Sequence, residues 1–270
     1  MKDKLNKHGW GNCPDETAIP YINKCRLFVE NDDMFKNFRR DPEYGKILSG
    51  DSKIVGDIAL SSIKKLGYLD NLKNSLEEIK NNDLYGNPYI HRYDDIGEIN
   101  PSTLRYFNSY VEIKNLLKGF SPKKIVEIGG GYGGLCRIMS VFINFEEYII
   151  VDLPESIKLA EKFINNYPEI RNRVKYISCE DLKSYNSIDD VDLFIADSSM
   201  AECDLDTQKI YTNKISKKSK YCYVIWNTLH LNNGNNEMNS FLSNFDSNFV
   251  ELTSIEYNIK MIYINQANKI

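Results

Sequence analysis

After about residue 120 the sequence alternates apolar runs of strand length with stretches of helical spacing, and nothing else in the chain restricts its fold as strongly. The runs are Lys124–Ile128, Tyr148–Asp152, Val174–Cys179, Val191–Asp197 and Tyr221–Trp226, with helical stretches at Gly134–Phe142, Pro154–Asn166 and Asp206–Ser216. Repetition of strand, crossover helix and strand builds a parallel sheet covered on both faces. A further helical stretch, Glu237–Phe245, precedes two strand candidates, Phe249–Tyr257 and Lys260–Ile264, with only Asn258 and Ile259 between them. That link is too short for a parallel crossover, so these two strands are expected to form an antiparallel hairpin.

Upstream the pattern changes. Ile54, Ile58, Ile63 and Leu66 line one face of a helix that Gly67 ends, and Leu69, Leu72, Leu76 and Ile79 follow helical spacing in the next. Gly86-Asn87-Pro88 then breaks the chain. Asn100-Pro101 reads as an N-cap followed by proline at the first helical position, and Tyr106, Tyr110, Ile113 and Leu117 continue that helix to Gly119. The expected fold is therefore α/β: a Rossmann-like, mostly parallel seven-stranded sheet with a C-terminal antiparallel hairpin, preceded by a mainly helical N-terminal region. The expected division is 1–119 for a cap and acceptor-binding region and 120–270 for a cofactor-binding domain.

Composition narrows the partners. Lys and Arg number 34 against 38 Asp and Glu, for a net charge of -4, and no extended basic run asks for nucleic acid. No apolar window approaches the roughly 18 residues of a membrane span, and the polar first residues lack a secretory pattern, so the expectation is a cytoplasmic location. The cysteines (Cys13, Cys25, Cys136, Cys179, Cys203, Cys222) form no CxxC pair and read as reduced packing residues.

Val126-Glu-Ile-Gly-Gly-Gly-Tyr-Gly-Gly134 stands between an apolar strand and an apolar helix, the context in which a glycine-rich loop binds a ligand through its backbone. Gly129, Gly131 and Gly134 satisfy the spacing of a dinucleotide fingerprint, so a dinucleotide-binding reductase is one reading. Glu127 favours another. A carboxylate two residues before the first glycine sits badly beside a pyrophosphate and well beside the ammonium group of S-adenosyl-L-methionine, which carries no phosphate. The cofactor residues expected are thus Glu127, Gly129, Gly131, Gly133 and Asp152. Asp152 closes the second strand about 20 residues past the glycines, where an acid accepts from ribose hydroxyls. Glu180 and Asp181 follow the third strand and are candidates for the adenine edge, with a solvated loop as the plain alternative. Arg105 and Tyr106 are candidates for the methionine carboxylate, which a guanidinium binds bidentately.

Asn100-Pro-Ser-Thr-Leu-Arg-Tyr106, the glycine segment through Leu135, Tyr148-Ile-Ile-Val-Asp-Leu-Pro154 and Asp197-Ser-Ser-Met-Ala-Glu202 together resemble the sugar O-methyltransferases of bacterial surface-polysaccharide clusters. The resemblance covers roughly residues 35 to 265. It implies S-adenosyl-L-methionine as cofactor, S-adenosyl-L-homocysteine as product, and a capsule or lipopolysaccharide sugar, a heptose among them, as acceptor. The chain departs from the family at Asp197, where such proteins often carry asparagine.

A sugar hydroxyl is a poor nucleophile until a base takes its proton, and in an open parallel sheet the base is expected beyond the carboxyl ends of the strands. Asp197, Ser198, Glu202, Asn227 and His230 occupy such places. His230 or Glu202 is read as the base, with Asp197 orienting it or the acceptor, and Ser198 and Asn227 as substrate contacts. Tyr89, His91 and Arg92 form a polar-aromatic patch suited to a sugar, a sugar phosphate or a nucleotide sugar. No metal ligand set is assigned, although Asp197, Glu202, Asp204 and Asp206 leave magnesium assistance as a competing mechanism. Another small-molecule acceptor is the remaining alternative, and a helical N-terminal arm is compatible with a homodimer.

Overall fold

The computed structural model describes residues 15–47, 51–184, 188–227, 234–254 and 259–267. Its N-terminal layer contains helices α1 (Asp15–Glu30) and α2 (Lys53–Lys65), several short helical turns, and a small hairpin of β1 (His91–Tyr93) with β2 (Gly97–Ile99). Helix α3 (Pro101–Leu117) follows, and then the alternation β3 (Lys124–Ile128), α4 (Gly134–Phe142), β4 (Glu147–Asp152), α5 (Pro154–Ile164), β5 (Val174–Ser178), β6 (Val191–Asp197), α6 (Leu205–Lys214) and β7 (Ser219–Asn227). The described chain closes with α7 (Gly234–Leu242), β8 (Val250–Ser254) and β9 (Ile259–Asn265).

The main sheet has seven strands in the order β5-β4-β3-β6-β7-β9-β8. Pairing is parallel from β5 through β7, while β9 runs antiparallel to both β7 and β8. The expected parallel sheet with one reversed hairpin is what forms. Burial explains why: β3, β4, β6 and β7 are covered almost throughout, so only near-continuous Val, Ile, Leu and aromatic runs satisfy them.

Helix α3 starts where the sequence places it. The Asn100 side chain accepts from the Thr103 amide at 3.1 Å and Pro101 occupies the first turn. It ends at Lys118 in the left-handed region, with Gly119 next. The helix lies across β6, β7 and β9, fixed by an Arg105–Asp197 contact at 2.7 Å, a Tyr223 hydroxyl donating to Glu112 at 2.5 Å and a Tyr263 hydroxyl donating to the Leu116 carbonyl at 2.9 Å. Its first turn therefore stands at the carboxyl edge of the parallel strands.

Two elements go beyond the sequence reading. Helix α1 contains Pro20, yet Ala18, Tyr21, Cys25 and Phe28 make a buried stripe along it, packed on α5. The β1–β2 hairpin has strands of three residues, too short to carry a periodic signal. Cys25, Cys136, Cys179, Cys203 and Cys222 are buried and unbonded to one another, as packing residues would be. Cys13 lies outside the described residues.

Candidate active site

Strand β3 has β4 on one side and β6 on the other, so the chain leaves it in one direction and returns to its far side later. The carboxyl ends of β3 and β6 thus flank a topological switch point, the place where open α/β sheets form a ligand crevice. The glycine loop sits there. Gly129 has φ +70°, and a Cβ on it would stand 2.4 Å from Cβ of Ser199, in the loop after β6. Ser199 also donates its hydroxyl to the Ile128 carbonyl at 2.5 Å, so the loops after β3 and β6 are in direct contact. Gly131, at φ +56°, turns its amide to Asp152 Oδ2 at 2.9 Å. Only glycine adopts such conformations at no steric cost.

Asp152 is held by more than the loop. Its Oδ2 also accepts from the Ser156 hydroxyl at 2.9 Å, and Oδ1 accepts from the Leu153 amide at 2.7 Å. Burial pushes its carboxyl pKa up, against the lowering effect of these donors. Oδ2 thus takes two donors, and Oδ1, with one, keeps a lone pair open for a further donor. Ser156 approaches the Tyr21 hydroxyl of α1 at 3.2 Å, which ties the N-terminal layer to this acid.

Glu127 is buried at 3% exposure, and its carboxylate accepts from the Tyr148 hydroxyl at 2.8 Å. Burial raises its pKa to about 8. Asp197 and Asp152 add to that rise and Arg105 opposes it, and an ammonium placed against the carboxyl would return it to the ionised form. Glu180 is half-buried and Asp181 exposed at the end of β5.

At the end of β6, Asp197 Oδ2 accepts from Arg105 Nη1 at 2.7 Å and from the Ser109 hydroxyl at 3.3 Å. Burial alone would lower the Arg105 pKa, and Asp197 reverses that and raises it. Arg105 lies over the Tyr106 ring at 4.6 Å. Two residues assigned to separate tasks by sequence, one to the methionine carboxylate and the other to catalysis, are therefore partners. Tyr106 is buried at 5% exposure and packs against the glycine loop, where a Cβ on Gly134 would meet its ring at 2.5 Å. Ser198 adopts φ +68°, uncommon for serine and a mark of local strain beside the crevice.

Glu202 is half-buried in a turn after β6, and Asn227 is the half-buried last residue of β7. His230 lies outside the described residues. Among the described residues no group of three or more His, Cys, Asp or Glu is placed to hold a metal ion. The acidic loop disperses instead: Asp197 goes to Arg105, Asp204 caps α6 through the Thr207 amide at 2.7 Å, and Asp206 pairs with Lys209 at 3.3 Å.

The N-terminal patch is split. Tyr89 is exposed with the Arg40 guanidinium 4.7 Å above its ring, and His91 Nε2 is 3.2 Å from the Asp51 carbonyl. Arg92 is exposed, across from Glu98 in the small hairpin. Sequence reasoning missed Tyr148, Ser156 and Ser199, which hold Glu127, Asp152 and the glycine loop. Ser156, one turn beyond Asp152 and just after Pro154, had the only local signal.

No family model and no curated protein matches the chain. Among solved structures it is similar to a candidate O-methyltransferase from Nostoc punctiforme, at 16% identity and a TM-score of 0.48, over 61% of this chain and 57% of that one. It is also similar to the methyltransferase domain of bacterial CtHen1, at 15% identity and a TM-score of 0.46, over 59% of this chain and 99% of that one. A third is human N-acetylserotonin methyltransferase in complex with S-adenosylmethionine, at 14% identity and a TM-score of 0.40, over 60% of this chain and 56% of that one. The chain thus spans little more than half of the Nostoc and human proteins.

Proposed function

We propose that this protein is an S-adenosylmethionine-dependent O-methyltransferase whose acceptor is a sugar hydroxyl, in the synthesis of a capsule or lipopolysaccharide. The observation that carries the cofactor is the buried Glu127, its pKa raised to about 8, beside a glycine loop whose Gly131 amide is pinned by Asp152. A buried carboxyl group that an arriving ammonium would ionise suits a ligand with an ammonium group and no phosphate. In this reading Glu127 receives the ammonium, Gly129, Gly131 and Gly133 let the backbone approach, and Asp152 Oδ1 accepts from the ribose. Glu180 and Asp181 are assigned to the adenine edge, and Arg105 and Tyr106 to the methionine end of the crevice.

The cofactor supplies an electrophilic methyl group. The chain must then orient an acceptor oxygen in line with it, remove a proton and exclude water. Asp197, fixed by Arg105, orients the acceptor or the base, Glu202 or His230 takes the proton, and Ser198, Asn227, Tyr89, His91 and Arg92 contact the acceptor. The division at 119/120 assigns the N-terminal layer to covering the crevice. No helix among the described residues is long and apolar enough to cross a membrane, and a cytoplasmic enzyme is proposed.

The test is isothermal titration with S-adenosylhomocysteine and with NADH. Binding of the first and not the second is expected, with a loss of at least about tenfold in Asp152→Ala, because hydrogen bonds to charged groups contribute about 1.5–3 kcal/mol. NADH binding in its place would make the chain a dinucleotide-binding protein. Methyl transfer to a panel of free, phosphorylated and nucleotide-linked sugars, read by mass spectrometry, then tests the acceptor.

A further inference from the structure

A cavity of about 220 Å³ opens between the Phe38–Arg40 turn and the start of α2, lined by Arg39, Arg40, Asp41, Asp51, Ser52 and Tyr89 among others. We propose that this cavity is an oxyanion site that holds a phosphate group and anchors the phosphate-bearing end of the acceptor.

Arg40 donates its Nε to the Asn87 carbonyl at 2.7 Å and rests on the Tyr89 ring, which fixes the guanidinium and leaves both Nη groups without a partner among the described residues. A planar fork held in this way matches two phosphate oxygens. Arg39 stands behind it with a side chain only 2% exposed, its Nη groups bonded to the Asn82 carbonyl, Asp83 and Asn100. Its Nε is buried with no partner.

Ser52 is the N-cap of the thirteen-residue α2, and its hydroxyl makes no bond to the helix amides. The cavity therefore meets an uncapped helix start, where open amides and the helix dipole favour an anion. Two carboxylates also line it. Asp41 is neutralised by Lys24 at 2.6 Å and caps the following turn through the Glu43 and Tyr44 amides. Asp51 accepts at Oδ1 from Asn100 and Ser102, which leaves Oδ2, without a partner among the described residues, to accept from a hydroxyl next to the phosphate.

The volume limits the ligand, since pockets for drug-sized molecules run to about 300–1,000 Å³. A phosphate with part of one ring fits that space, and the rest of a larger acceptor would lie outside it. Position links the cavity to the crevice: Asp51 holds Ser102, and Arg105, which grips Asp197, follows within one turn of α3, a rise of about 4.5 Å. The anion site stands on these contacts alone, whereas its role for the acceptor rests on the methyltransferase reading.

The test is isothermal titration of the full chain with inorganic phosphate at ionic strength held constant with potassium chloride. Saturable phosphate binding is expected, weakened about tenfold or more in Arg40→Gln. Ser52→Asp is expected to abolish it while the melting temperature holds or rises, because aspartate is a good N-cap that occupies the anion's place. Phosphate bound no better than chloride, or bound by both variants as by the parent, overturns the site. The same proteins are titrated with S-adenosylhomocysteine, whose affinity the two substitutions should not change. Phosphate binding without S-adenosylhomocysteine binding overturns the acceptor role and the methyltransferase reading together. S-adenosylhomocysteine binding without phosphate binding overturns the anion site alone.

Discussion

The sheet and the N-terminal layer bury different kinds of group. In β3, β4, β6 and β7 the covered positions are mostly apolar, Glu127, Asp192 and Ser219 standing out among Val, Ile, Leu and aromatic neighbours. Between residues 39 and 103 the buried groups include a connected polar lattice. Arg39 bonds Asn100 and Asp83, Asp83 accepts from Thr103 at 2.5 Å and from the Asn100 amide at 3.1 Å, and Asn82 donates to Thr103 at 2.8 Å. Arg39 also covers the ring of Tyr132, in the glycine loop, at 4.9 Å. Apolar packing tolerates exchange of one hydrocarbon for another, whereas a lattice of paired charges depends on each member.

Removing one member should produce the largest effect. Arg39→Met leaves Asp83 buried without its cation and is expected to cost about 3–5 kcal/mol in urea unfolding, whereas Ile195→Val, at a fully buried sheet position, should cost about 0.5–1.5 kcal/mol. Equal losses would erase the contrast between the two regions.

Gly129→Ala tests the junction between them and the crevice. The new Cβ meets Ser199 in a backbone conformation that alanine disfavours, for an expected loss of about 1–3 kcal/mol from overcrowding, together with loss of S-adenosylhomocysteine binding. A stable variant with full affinity would mean that the loops after β3 and β6 separate easily.

Glu127 is the exception that sharpens the apolar side of the comparison. Its folded pKa of about 8 lies above the ordinary value for an unfolded glutamate, so the stability it contributes is full below about pH 4.3 and is lost as pH rises through about 8. Glu127→Gln keeps an acceptor for the Tyr148 hydroxyl and removes the titration. Its unfolding free energy should match the parent near pH 4 and exceed it at pH 8, the gap opening by up to about 1.4 kcal/mol per pH unit. Parallel pH profiles would show that Glu127 titrates in the folded protein as it does in the unfolded chain.

The smallest effect is expected at the exposed seam of α1 and α5. Arg26 reaches Glu155 at 2.9 Å with its side chain 52% exposed, and Arg26→Ala should change stability by less than about 1 kcal/mol. A larger loss would assign the docking of α1 to charge and not to its buried stripe.

What the sequence made legible divides along the same line. The alternating strands and helices, the final hairpin, the Asn100 cap and the glycine loop with Asp152 are local patterns, each written within about 20 residues. The Arg105–Asp197 pair joins positions 92 apart, and the Arg39 lattice draws on residues 39, 82, 83, 100 and 103, with no periodicity to mark them. Helix α1 was hidden for a different reason. Pro20 reads as a breaker, but near the helix start it removes only one internal bond, and packing of Tyr21, Cys25 and Phe28 outweighs that loss.

The stripe on α1 also has a consequence for how the protein is made. Its partner helix α5 comes so much later that Lys162 and the carbonyl of Phe28, which it contacts, are 134 residues apart in the chain. At about 5–20 residues per second of synthesis, those apolar side chains wait on the order of ten seconds for their partner. During that interval Tyr21 and Phe28 have Phe38 and Tyr44 to pack on, but the face that α5 covers stays open, and production at high expression rates should depend on chaperone supply more than the finished protein's own stability would suggest.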